Sequence, residues 1–160
     1  MLNSTLPLFP NPEFEPLFTV NQFLEFTDRL LEPLGMNVPA IVEIELLRSL
    51  SSGTFGRAWA DFIDQNNLTV FTTGIRRKQL HDGVHILTGY GSDSIGEAEV
   101  QAFLLGAKFS PFNMVILVGL LRMSRRKLGQ QQFCQQLASI RQRLRTAYQR
   151  GHQAQFDPDT

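Results

Sequence analysis

The chain has 160 residues, 42% hydrophobic and 19% charged, which is the composition of one globular domain with one core. Its single cysteine, Cys134, excludes an intrachain disulfide and a cysteine-rich zinc site. The formal net charge is zero but uneven: residues 1–75 carry three basic and nine acidic side chains, residues 100–156 nine basic and no acidic ones, so an anionic surface, a phosphate or an acidic partner suits the C-terminal third.

In chain order, residues 1–18 are predicted as an extended arm, because Pro7, Pro10, Pro12 and Pro16 oppose a helix. Phe9, Phe14 and Phe18 would pack that arm on the body. The remainder, 19–156, reads as helices. Thr19 caps a first one that Pro33 ends, with Phe23, Phe26 and Leu30 at helical spacing. Pro39 suits the first turn of a second, with Ile41, Ile44, Leu47 and Leu50 inward. After Ser51-Ser52-Gly53, Thr54 caps a third helix carrying Phe55, Trp59, Phe62 and Ile63. Residues 66–74 are a connector without a partner strand. A fourth helix spans about 75–87, and Thr88-Gly-Tyr-Gly breaks it. A fifth runs from near Ser94 to about Lys108. Ser110-Pro111 opens a sixth, 112–127, apolar on nearly every side until Arg122. Such a helix is expected at the centre of a bundle or in the wall of a lipid pocket. The last, about 130–153, has the stripe Phe133, Leu137, Ile140, Leu144 and Tyr148. The fold class is all-α: a single-domain bundle of about six or seven helices with an extended N-terminal arm.

Two of three histidines fall within five residues, His81-Asp82-Gly83-Val84-His85. On a helix, positions i and i+4 share a face, so both imidazoles can address one divalent ion. Imidazole suits zinc and other first-row metals, and carboxylates widen the choice toward harder ions such as magnesium. Two ligands are too few, so the chain must return another. Glu97 is the first candidate. A continuous helix would hold it about 18 Å from His85, but Gly89, Gly91 and Gly96 supply a reversal. Glu99 is its rival. Ser94-Ile-Gly-Glu97 equally matches a capping box, and Asp82 could pair with Arg76 or Lys78.

His81-Asp-x-x-His85, eleven residues and Glu97 together resemble the motif of the coenzyme Q (ubiquinone) biosynthesis family of the fourth Coq protein. Leu87-Thr-Gly-Tyr-Gly-x-Asp-x-x-Gly-Glu97 is similar to its bacterial members. Gly53-Thr-Phe-Gly with Phe62, Val100-Gln-Ala-Phe103 and the apolar helix before Arg122 extend the likeness over roughly 39–127. The resemblance implies an all-helical, membrane-peripheral protein whose divalent ion, zinc first, is held by His81, Asp82, His85 and Glu97. It also implies a polyprenylated substrate, with removal of the ring carboxylate of a polyprenyl-hydroxybenzoate as the expected carboxy-lyase reaction. Phe103, Val115, Val118 and Leu121 would line the isoprenoid tail.

The alternative is a non-enzymatic isoprenoid carrier or scaffold. A phosphohydrolase with a His-Asp motif ranks third, since the only other histidine is His152 and no aspartate lies between Asp93 and Asp157. Expected partners are a polyprenyl lipid or quinone precursor, other quinone-biosynthesis proteins, a membrane surface and a second copy in a homodimer. Nucleic acid is not expected, because the basic helices carry no aromatic platform. MLNSTLPLFP has no secretory pattern, and the longest apolar run, Met114 to Leu121, is too short to span a bilayer. The expected location is cytoplasmic, peripheral on the cytoplasmic face of the membrane.

Overall fold

A computed structural model of the chain describes residues 37–155 and 157–159. The predicted arm over 1–18 and the first predicted helix lie outside them. The described residues form seven α-helices and no strand: α1 Ile44–Ser49, α2 Phe55–Gln65, α3 Arg76–Gln79, α4 His81–Thr88, α5 Ser94–Ala107, α6 Pro111–Leu128 and α7 Gln130–Gln153. The all-α class is as expected.

The central helix is α5, which packs on both α6 and α7. Eleven of its residues are buried, from Ile95 to Gly106. Val100, Phe103 and Leu104 join Val84 of α4 in one core cluster, with Tyr90 packed against it. Small residues let α7 come close. A β-carbon on Gly106 would overlap the carbonyl oxygen of Tyr148, and one on Gly151 would overlap that of Phe103. The two backbones therefore touch where both helices have a glycine. A second cluster, Val42, Trp59 and Ile63, joins α2 to the segment before α1.

Several expectations are corrected. The sixth predicted helix, α6, is not the bundle centre: only Asn113, Leu120 and Ser124 are buried, and Met114, Val115 and Val118 face solvent. α5 takes the centre because its glycines and alanines admit neighbours on several sides. The second predicted helix does not begin at Pro39. Residues 37–43 stay extended because the buried amide of Gln79 donates to the carbonyls of Val38 and Pro39 while its oxygen accepts from Ile41 N. Ile41 and Leu50 are consequently exposed, and Val42 is the inward residue. The helix predicted over 75–87 is two short ones meeting at Leu80, whose φ of −89° and ψ of −3° open the turn. The i to i−4 bonds run on through it, Leu80 N to Arg76 O and Val84 N to Leu80 O. At the end of the α7 stripe, Tyr148 is exposed and Ala147 takes the buried place.

Candidate metal centre

His81 opens α4 and His85 lies in its last turn, one helical turn apart on the same face. α4 ends at Gly89, which adopts a left-handed φ of 73°. Its N–H closes on the His85 carbonyl at 2.8 Å. Four residues later Asp93 caps α5, accepting from Ile95 N and Gly96 N. The cap is thus Asp93 and not Ser94, and the Glu97 side chain is left to turn toward α4.

Glu97 then spans both imidazoles. Its Oε2 lies 3.2 Å from His81 Nε2 and its Oε1 3.1 Å from His85 Nε2. Ligand atoms of the three residues all lie within 4.8 Å of one another. The His85 side chain is 2% exposed, those of His81 and Glu97 21% and 25%, so the cluster is walled on one side and reachable from the other.

The second nitrogen of each ring is also engaged. His85 Nδ1 donates to the Tyr90 carbonyl at 3.0 Å, and a carbonyl can only accept, so the proton sits on Nδ1. A neutral His85 then turns a lone pair toward Glu97 Oε1. Two lone pairs facing at 3.1 Å repel unless a proton or a cation stands between them. His81 Nδ1 faces Asp82 Oδ1 at 3.4 Å. Phe62 stacks on the His85 ring, centroids 5.5 Å apart, and limits its tilt.

Electrostatics tie the group together. Burial opposes the charge on His81, but Asp82 and Glu97 outweigh it and hold the ring up to about 9. Burial likewise opposes the charge on Glu97, and His81 and His85 outweigh it, holding the carboxyl down to about 2. Without a cation the cluster is an imidazolium–carboxylate pair. A bound cation would take the place of that proton. A tetrahedral site with bonds of about 2.0–2.1 Å has donor–donor edges of about 3.3 Å, close to the two histidine–glutamate separations. With one ligand atom from each residue within 4.8 Å of the others, the donor set is compatible with a divalent ion.

Of the four expected ligands, the structure brings His81, His85 and Glu97 into one group and sets Asp82 at the far nitrogen of His81. The rival Glu99 is removed: Arg143 donates to both its oxygens, at 2.9 and 2.5 Å. The expected tail residues fall into two groups, Phe103 on α5 and the other three on α6. Phe103 belongs to the core, Val115 and Val118 lie on the open face of α6, and Leu121 is half-buried. Tyr90, Phe62 and Asp93 were missed as supporting residues. Asp93 had a legible signal, an aspartate directly before a helix start. Tyr90 acts through its main chain, which leaves no signature.

An all-helical domain with a His-x-x-x-His helix facing a carboxylate is the class that fold and site define. No family model matches the chain, and no solved structure matches it significantly. Curated relatives do. The chain is 29% identical over 97 residues to the ubiquinone biosynthesis protein COQ4 homolog, mitochondrial, of Xenopus tropicalis, covering 46% of this chain and 35% of that protein. It is 34% identical over 97 residues to the homolog of the same name in Nematostella vectensis, covering 45% and 47%. The match thus spans between about a third and a half of the length of these relatives. Over that part the chain is similar to these COQ4 homologs.

Proposed function

We propose that this protein serves ubiquinone-type quinone biosynthesis by binding one divalent metal ion, zinc first, beside a polyprenylated ligand. The observation that carries the reading is the convergence of His81 Nε2, His85 Nε2 and both Glu97 oxygens. His81, His85 and Glu97 would hold the ion, with Asp82 at the edge of the site. When bound, such an ion supplies Lewis-acid stabilisation to an oxygen-bearing head group. The chain's own contribution is positional: Tyr90 and Asp82 orient the rings, and Glu97 ties α5 to α4. The names of the relatives support the pathway. Carboxy-lyase action on a polyprenyl-hydroxybenzoate rests on the resemblance of the motif.

A second reading, a non-enzymatic carrier or scaffold for an isoprenoid lipid, draws on α6. Met114, Val115 and Val118 form an exposed apolar strip that continues to half-buried Leu121. None of the described helices is long and apolar enough to cross a membrane, which suits contact with a membrane surface through such a strip. Other quinone-biosynthesis proteins are the proposed partners, and a peripheral cytoplasmic location is part of the proposal.

The test is titration of chelator-stripped protein and of His85→Ala with zinc, cobalt and magnesium. One stoichiometric site in the wild type is expected, weakened at least about tenfold in the variant, since even an outer partner of a ligand is worth 10–100-fold. No site for any of the three ions, or equal binding by the variant, overturns the reading. Mass spectrometry of co-purifying lipid, with turnover assayed alongside, separates enzyme from carrier.

A further inference from the structure

Apart from the metal centre, α7 presents a polar face to the turn between α4 and α5. Ser139, the adjacent pair Gln142 and Arg143, Thr146 and Arg150 follow one another at steps of three or four residues along it, and opposite stand Tyr90 and Glu99. Between them is an open cleft of about 230 Å³. It is smaller than the roughly 300–1,000 Å³ of pockets for drug-sized ligands, so it suits a small group.

The donor inventory gives the chemistry. Glu99 is the only side chain in the cleft that can only accept, and Arg143 occupies both its oxygens through Nε and Nη2. Arg150 commits Nη1 and Nη2 to the Thr88 carbonyl, and Nη1 also reaches the Tyr90 hydroxyl oxygen at 3.0 Å. Its guanidinium lies over the Tyr90 ring, 5.1 Å from the centroid. Among the described residues neither Arg143 Nη1 nor Arg150 Nε has a partner, and the Tyr90 hydroxyl, having accepted, keeps its proton to donate. Ser139, Thr146 and Gln142 add neutral donors. Among the lining side chains two cations face one carboxylate, and Asp93 lies within electrostatic reach of Arg143. Both guanidiniums are already held by the fold, so a ligand need not order them.

We propose that this cleft is an oxyanion site, taking a carboxylate or a phosphate group between Arg143 and Arg150. The chemistry shared by the two is a planar or tetrahedral set of acceptor oxygens, which a guanidinium fork meets with charge-assisted bonds. Tyr90 joins this site to the metal centre, since its ring and hydroxyl face the cleft while its carbonyl holds His85. The oxyanion site needs no metal, and it stands or falls separately from the function proposed above.

The experiment is an NMR titration of chelator-treated, nitrogen-labelled full chain with inorganic phosphate and, separately, acetate. Sodium chloride at matched ionic strength is the control. Saturable shifts of the Arg143 and Arg150 Nε–H signals are expected, at dissociation constants of about 1–10 mM. The anion that saturates identifies the source, phosphate or carboxylate. Thr146→Trp fills the cleft from an exposed position and Arg150→Gln removes one cation. Each should weaken binding at least about tenfold. If Arg150→Gln loses helical circular dichroism because its bonds to Thr88 are gone, Thr146→Trp alone decides. Saturation by neither anion, shifts that chloride reproduces, or wild-type affinity in a folded variant overturns the proposal.

Discussion

The carbonyl of Gly91 occupies the place where a side chain on Gly96 would have to begin. That close approach folds the turn after α4 back onto the first turn of α5 and sets Glu97, the next residue, over the two histidines. Gly96→Ala must push the turn away. A cost of about 1–3 kcal/mol, the usual range for overpacking, is expected in urea unfolding. Metal affinity should fall with it. Wild-type affinity in this variant would show that Glu97 does not depend on the turn.

Asp82 provides a second prediction. It faces His81 Nδ1, whereas Glu97 faces Nε2. Asp82→Ala should lower zinc affinity by about 10–100-fold, as loss of an orienting carboxylate does. Asp82→Asn, whose amide oxygen still accepts, should recover part of it. The visible spectrum of the cobalt form discriminates further. An orienting role leaves the coordination bands in place, and a ligand's loss shifts them.

The charges on the cluster predict opposite pH trends for stability and for metal binding. His81, raised to about 9, favours the metal-free fold fully below its ordinary 6.5, and that contribution is lost as pH rises through about 9. Glu97, lowered to about 2, favours the fold above its ordinary 4.5, and that contribution is lost as pH falls through about 2. Metal-free protein should therefore gain most from this pair between about pH 4.5 and 6.5. A metal must displace the His81 proton, so zinc affinity should climb with pH toward about 9. Chelator-treated and zinc-loaded samples, melted across pH 4 to 9, check both trends.

At the other end of α5, Arg77 is buried and donates to both oxygens of Asp159, to Asn113 Oδ1 and to the Lys108 carbonyl. Asn113 passes the chain on to Gln101. Asp159→Ala leaves that guanidinium with two neutral acceptors. Asp159 is itself 41% exposed, so water replaces part of the loss. A modest decrease of about 1 kcal/mol in unfolding free energy is expected, below the 1.5–3 of a fully enclosed charged bond. Arg77→Met, which deletes the hub, should cost more in the same assay.

Arg122, Arg125, Arg126 and Lys127 are exposed at the C-terminal end of α6, beyond the apolar strip. Such clusters bind anionic membranes with about 1 kcal/mol per basic residue. Flotation with anionic vesicles should exceed that with neutral ones at low salt and fall as salt rises. A variant with all four changed to glutamine should lose the difference.

Sequence alone determined the helical class, the cap at Thr54, the break at Gly89 and the pairing of His81 with His85. Each depends on residues within about one helical turn, where spacing and backbone preference act directly. What lies farther apart was settled by packing. On paper Glu97 is the first candidate and Glu99 its rival. They separate only because Arg143, 44 residues from Glu99, claims it, while Gly91 and Gly96 close the turn that delivers Glu97. The apolar sequence of α6 suggested a central helix, yet α5 holds that place. Hydrophobic content says how much surface a helix would bury. The glycines at 106 and 151 decide which helices can approach closely enough to bury it. Asp82 neighbours His81 in the chain, but which nitrogen of the ring it meets was decided by the Tyr90 and Glu97 contacts that orient the two imidazoles.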